Sequence, residues 1–326
     1  MSYSPVKWGI LSTADINRKV IPGAKASPKV DLVGVASRTQ ERAEEYASSW
    51  EIPHAYGSYE ALLADSEIEA VYISLPNTLH CQWSIEAVQA GKHVLCEKPL
   101  SRHPDQVAAA FEAAERAGRL LSEAFMWRHN PQTAKLKELL DGGAIGELRL
   151  VRSAFSYGLY DEENIRLRAE LEGGALMDVG SYCVSGSRFL AGEPQRVWAE
   201  AWFGPTETDW VLAGTMRFPN DVIATFDCGT ALSERDELEA IGSEGSLFLD
   251  DPWHCNVPVI ELRRDGRDAE RIELEPQDSY RLELENMSDA IRGEAELLLQ
   301  RNDATAQARV LEALHRSATT SKPVDL

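Results

Sequence analysis

At 326 residues the chain is too long for one ordinary core and fits two domains. Hydrophobic residues at 44% and charged residues at 26% are globular proportions. The 53 acidic side chains against 33 basic ones leave a net charge of −20, a field that repels phosphate backbones and anionic bilayers, so neither nucleic acid nor membrane is expected as a partner. A solvated acidic surface is the plain reading of that charge. Cys81, Cys96, Cys183, Cys228 and Cys255 are odd in number, widely spaced and contain no C-x-x-C pair, which argues against a disulfide framework or structural zinc and for a reducing compartment. The opening MSYSPVKWGI lacks a basic stretch followed by an apolar one, and no 18-residue apolar run occurs, so the expected location is cytoplasmic.

From residue 6 to about 124, short β-branched runs alternate with helical stretches, the pattern of an α/β fold with a parallel sheet. Strands are expected at 6–11, 30–37, 70–75, 93–97 and 119–124, apolar enough to be covered on both faces. Helices are expected at 15–26, 39–49, 58–64, 79–91 and 104–118, with Asp15, Thr39 and Ser58 as caps. Past Met126 the rhythm changes to a helix near 131–141 and longer alternating strands at 148–157, 196–203 and 222–229. This half reads as an α+β domain with an open, mostly antiparallel sheet, one face covered by helices at 176–190, 277–292 and 302–316. The boundary is placed near residue 125, giving domains 1–125 and 126–326.

A nucleotide site in such a sheet belongs where the first strand feeds its helix, since the helix N-terminus offers free N–H groups and positive dipole to a pyrophosphate. That turn is Ser12-Thr13-Ala14-Asp15-Ile16, a degenerate fingerprint with Ser12, Ala14 and Asn17 where glycines would stand; a plain turn is the alternative. The second strand ends at Ser37-Arg38 with no carboxylate to accept from ribose hydroxyls. Arg38 and Arg42, four apart, either grip a phosphate or form a solvated pair balanced by Glu41, Glu44 and Glu45. His93 to Pro99 is a strand that delivers Glu97, Lys98 and a proline at its carboxyl end, where ligands bind; the alternative is an exposed ion pair. In GGALMDVGSYC (173–183) Asp178 and Tyr182 are spaced to share a helix face and address one substrate, or else to cap and to pack. The seven histidines show no ligand spacing, so no metal is expected. Tyr157, Tyr160, Trp198, Trp202, Phe203 and Trp210 suit sheet core and interface better than a sugar platform.

Ser37-Arg38, Pro76-Asn77-x-x-His80, Glu97-Lys98-Pro99, the run Glu123 to Arg128, and GGALMDVGSYC, in this order and nearly end to end, resemble the family of glucose–fructose oxidoreductase, inositol dehydrogenase and rhizopine-catabolism proteins. The resemblance implies a Rossmann domain and an open-faced sheet domain that supplies substrate pocket and subunit contact. It is nearest the branch of dimeric dihydrodiol dehydrogenases and NADP-linked xylose and glucose dehydrogenases, because Tyr182 stands where many inositol-type members have His. By that resemblance Tyr182 is the acid/base group, Lys98 its electrostatic partner and Asp178 a substrate-orienting residue. Leu75, Pro76, Asn77, His80, Glu97, Lys98, Arg128, Ile165, Arg166 and Tyr280 are implied to line the cofactor, together with the 12–16 turn, Ser37, Arg38 and Arg42.

The implied reaction is hydride transfer between NADP(H), with NAD possible, and a CH–OH group of a sugar-like substrate. The alternatives are reduction of a dicarbonyl or anhydro-keto sugar, oxidation of a trans-dihydrodiol, or a catalytically silent cofactor-bound sensor. The glycine-free loop and His129-Asn130-Pro131, in place of an aromatic-His-Pro, depart from the family pattern. Lys98–Pro99 is expected to be cis. A homo-oligomer, dimer or tetramer, is expected because one face of the second sheet lacks cover.

Overall fold

The first half repeats one unit: a short apolar strand, a turn of small residues and a helix with one apolar face. In the computed structural model, which describes residues 4–326, these are β1 (Val6–Leu11), α1 (Asn17–Ala26), β2 (Val30–Ala36), α2 (Gln40–Trp50), β3 (His54–Tyr56), α3 (Tyr59–Ala64), β4 (Ala70–Ile73), α4 (His80–Gln89), β5 (His93–Glu97), α5 (Pro104–Ala117) and β6 (Leu121–Ala124). The strands pair in parallel in the order β3-β2-β1-β4-β5-β6. Strand order therefore reverses between β1 and β4, and ligands bind beyond the carboxyl ends of strands at such a switch. This is a Rossmann sheet.

Thr39 and Ser58 cap their helices as expected, accepting from the N–H groups of Arg42 and Ala61. Asp15 does not: α1 starts without a side-chain cap, and the Asp15 carboxylate pairs instead with Arg18 at 3.0 Å. The edge strand β3 was not foreseen, since three partly exposed residues are too few to show alternation.

The second half contains α6 (Pro131–Asp141), β7 (Leu148–Gly158), a π-helical turn (Leu176–Gly180) that runs into α7 (Ser181–Ala191), and then β8 (Arg196–Phe203), β9 (Asp209–Arg217), β10 (Ile223–Gly229), β11 (Ala231–Gly242), β12 (Ser246–Leu249), β13 (Val259–Arg263) and β14 (Glu270–Glu273). It is followed by α8 (Ser279–Arg292), α9 (Arg301–Thr320) and β15 (Val324–Asp325). The sheet order is β14-β13-β12-β11-β7-β10-β9-β8-β15, antiparallel throughout except for the parallel pair β7 and β10. α7 packs against β7, β10 and β11 and covers one face.

Packing divides the chain into two compact units. One runs to Met126 and takes up Asp278–Thr305; the other holds Trp127–Gln277 and Ala306–Leu326. The expectation that the helix at 277–292 covers the second sheet is thereby corrected. α8 lies on α1, and a Cβ on Gly23 would sit 2.8 Å from the Arg281 nitrogen. Trp8 donates through Nε1 to Ser288 Oγ at 3.2 Å, and Leu284 and Met287 join the apolar cluster of Trp8, Ile21 and Tyr72. The apolar stripe of α8 matches this cluster, and helical periodicity alone does not say which core a stripe will join. No described helix is long and apolar enough to cross a membrane.

Candidate active site

In the first unit, the turn after β1 is built from side chains where glycines would serve. Ser12 adopts φ 123°, a conformation that normally needs glycine. Its Oγ bonds the Ser74 carbonyl and Ser74 Oγ, each at 2.9 Å, and Asn17 Nδ2 donates to the Ser12 carbonyl at 2.9 Å. Ser74 Oγ in turn donates to Asn17 Oδ1 at 2.7 Å. These bonds hold the strained residue between β1, β4 and α1. The Ala14 N–H donates to Ser12 Oγ at 3.1 Å.

Ser37 is buried at the end of β2, its N–H bonded to the Tyr56 carbonyl. Arg42 Nε donates to Thr13 Oγ1 at 2.8 Å, which brings the α2 guanidinium to the β1 turn. Arg38 is also exposed, and both arginines act on the Tyr59 hydroxyl, lowering a pKa that burial raises. Arg42 thus stands at the rim of the turn, and Arg38 shares with it an influence on Tyr59.

His80 lies buried with Nδ1 2.8 Å from the Pro99 carbonyl and Nε2 2.7 Å from the Leu75 carbonyl, and so ties the loop after β4 to the loop after β5. Burial, with Lys98 nearby, lowers its pKa. Lys98–Pro99 is cis. Glu97 accepts from the Tyr72 hydroxyl with one oxygen and from the Lys98 N–H at 3.1 Å with the other. Tyr280, on the first turn of α8, belongs to the same group: burial raises its pKa most, and the Glu97 and Glu283 carboxylates add to the rise. Tyr72 and Glu283 were not singled out in the sequence, because a strand tyrosine and a helix glutamate carry no local signal.

In the second unit, strand and helix periodicities meet. Phe155 and Tyr157 are two apart on β7 and share a face, while Asp178 and Tyr182 come from the π-helical turn and the start of α7. The regular helix expected at 176 therefore opens with a wider turn. The Tyr157 hydroxyl donates to Asp178 Oδ2, and Arg166 Nε lies 3.4 Å from Oδ1. The Tyr182 ring meets Phe155 edge-on at 5.3 Å and Trp253 at 5.9 Å.

The approach to this turn is fixed by Asp209, which is buried and accepts the Leu176 N–H at 2.7 Å. A Cβ on Gly174, at φ 119°, would come within 2.0 Å of Asp209 Oδ1, so the position requires glycine. Burial pushes Asp209 up to about 7 against the pull of its N–H bonds. The Arg128 guanidinium stacks over Phe189 at 4.5 Å, and burial beside it drops His129 to about 3. Ile165 is exposed next to Arg166.

Residues 6–125 match the model of the oxidoreductase family with NAD-binding Rossmann fold, and residues 133–248 match the GFO/IDH/MocA C-terminal domain. The chain belongs to the GFO/IDH/MocA oxidoreductase family. It is 36% identical to D-xylose 1-dehydrogenase (NADP(+)) 2 of Haloferax volcanii across 98% of this chain and 99% of that one. Among solved structures, a 3-ketoreductase from Actinomadura kijaniata in complex with NADP and TDP-benzene superposes with a TM-score of 0.90 at 29% identity, covering 96% of this chain and 98% of its own. Variants of that ketoreductase with a lysine or a tyrosine replaced have also been solved. An aldose–aldose oxidoreductase from Caulobacter crescentus, complexed with glycerol, gives a TM-score of 0.92 at 26% identity over 99% of this chain and 100% of its own.

Proposed function

We propose that this family member is an NADP-linked oxidoreductase acting on a CH–OH group of a sugar-like substrate, with an aldose oxidised at its anomeric carbon as the foremost substrate class. The first domain binds the cofactor and the second the substrate. The observation that carries the reading is the second-unit cluster, in which Tyr157 and Arg166 hold Asp178 on the turn leading to Tyr182. A fixed carboxylate and a phenol suit a substrate presenting several hydroxyls.

Tyr182 exchanges the proton of the reacting hydroxyl, Lys98 stabilises the charge that develops on its oxygen, and Asp178 orients a neighbouring hydroxyl. The lysine and tyrosine replaced in the Actinomadura ketoreductase are separated by the same interval as Lys98 and Tyr182, which supports these roles. NADP supplies or accepts the hydride when bound. The chain's residues suit its extra phosphate: Arg42 reaches the turn after β1, Arg38 follows the end of β2, and β2 ends without a carboxylate. The xylose dehydrogenase and ketoreductase relatives are NADP-linked. Incubation with a sugar panel and either cofactor, following absorbance of reduced nicotinamide, tests the reading; no turnover of any aldose, diol or keto sugar would overturn it.

A cytoplasmic, reducing location accords with five free, buried cysteines. We place the subunit contact of at least a dimer on the second-sheet face opposite α7. Trp198 and Trp202 share one face of β8 and stand 41% and 56% exposed, and Trp198 lines a groove with Thr215, Thr225, Phe248 and Arg263.

A further inference from the structure

The carboxyl ends of β2 and β3 emerge side by side, because the two strands pair in parallel with Ala36 opposite Tyr56. The segments that follow them therefore pack together. Gln40, which opens α2, donates through Nε2 to the Ala55 carbonyl at 3.2 Å, and a Cβ on Gly57 would come within 3.1 Å of the Gln40 nitrogen. This packing sets Tyr59, the first residue of α3, beside the stretch that carries Arg38 and Arg42. The Tyr59 ring meets Trp83 of α4 edge-on at 4.9 Å, and both side chains are partly buried.

The donors gathered here lack acceptors. Among the described residues Arg38 and Arg42 form no ion pair, although Glu41, Glu44 and Glu45 lie on the first turns of α2. Glu44 Oε1 accepts from Gln40 Nε2 at 3.0 Å instead, and Asp15 of the β1 turn is held by Arg18 at 3.0 Å. Arg42 spends only Nε, on Thr13 Oγ1, and the Tyr59 hydroxyl makes no hydrogen bond among the described residues. In a chain of net charge −20, two unpaired guanidinium groups beside an unpaired phenol fit an anion. Burial raises the Tyr59 pKa more than Arg38 and Arg42 lower it, so the phenol keeps its proton at neutral pH and meets an anion as a donor.

We infer that Tyr59, braced edge-on by Trp83, is a specificity-determining residue for the cofactor, its hydroxyl donating to the phosphate that distinguishes NADP from NAD. The inference rests on the placing of that phosphate proposed above and adds a donor of a different kind. Long arginine side chains must be ordered when the phosphate arrives, whereas a ring already packed on Trp83 is ordered beforehand.

Calorimetric titration of the full chain with adenosine 2′,5′-bisphosphate and with AMP isolates this end of the cofactor from the nicotinamide and from turnover. Wild type binds the bisphosphate more tightly. In Tyr59→Phe, which keeps the ring and its contact with Trp83, affinity for the bisphosphate falls about three- to tenfold, as for one lost hydrogen bond, and affinity for AMP stays at the wild-type value. NADP+ and NAD+ show the same split. Trp83→Leu, which frees the ring, lowers the preference by less. Circular dichroism verifies folding.

An unchanged preference in Tyr59→Phe overturns the inference and leaves the arginine assignment standing. Equal losses for both ligands overturn it too, since a hydroxyl that only supports the fold does not tell one phosphate from two. If wild type binds the bisphosphate no more tightly than AMP, or binds neither, the phosphate site itself fails and the inference with it. No arm of the test requires turnover, so failure of the proposed sugar chemistry would leave its result intact.

Discussion

Asp209 accepts the backbone N–H of Leu176 at 2.7 Å and so fixes the start of the π-helical turn from a strand distant in sequence. Its folded-state pKa of about 7 exceeds the ordinary aspartate value of about 3.9. Between those values the folded state keeps a proton that the unfolded chain has released. The stabilisation from this group is therefore complete below about pH 4 and is lost as pH rises to about 7. Urea unfolding at several pH values should show wild type losing stability relative to Asp209→Asn across that window, by at most about 1.4 kcal/mol per pH unit, with the difference flat above it. A difference that does not vary with pH would show that Asp209 keeps an ordinary pKa.

Tyr182→Phe should reduce turnover about 10²–10⁴-fold, a usual general acid/base contribution, while affinity for NADP stays close to that of wild type. Steady-state kinetics with NADP titration and circular dichroism check this. Near-normal turnover in the folded variant would remove Tyr182 from the chemistry.

Arg38→Ala and Arg42→Ala should each reduce the preference for NADP over NAD, by about tenfold for a lost charge-assisted contact to a phosphate. The Arg42 change also removes the bond to Thr13 Oγ1, so it should loosen binding of both cofactors, whereas the Arg38 change should affect NADP alone. The measurement is kcat/KM for each cofactor. Equal efficiencies in wild type would mean that neither guanidinium meets the phosphate.

Light scattering at micromolar concentration should show a species at least twice the chain mass of 36.1 kDa. Trp202→Glu should shift it towards monomer, because a charge on the exposed end of β8 would have to be buried in the contact. A wild-type monomer would mean that the tryptophans face solvent.

Apart from β3, the strands of the first sheet are legible because each is an apolar run bounded by turn residues, and β1, β5 and α6 fall on their expected limits. Motif order singles out Lys98, Asp178 and Tyr182 as candidates. Harder to see are β11 to β14, whose charged and apolar residues blur the alternation. Tyr157 and Asp209 escape for another reason. Their places in the candidate site come from long-range pairing with Asp178 and Leu176, and a local pattern cannot report a contact between distant segments. Ser12 stands where a glycine would; the bonds with Ser74 and Asn17 that make it workable come from elsewhere in the chain or point back into the strand.

The place of α8 on the first sheet bears on how the protein is made. Ser288, which accepts the indole N–H of Trp8, leaves the ribosome 280 residues after it. Until then the flank of α1 that receives Leu284 and Met287 lacks its apolar cover, and Gly23 faces no helix. The domain begun first is therefore finished late in translation. A nascent chain stalled after residue 126 would present that bare flank to chaperones and proteases, whereas release of the whole chain would close it.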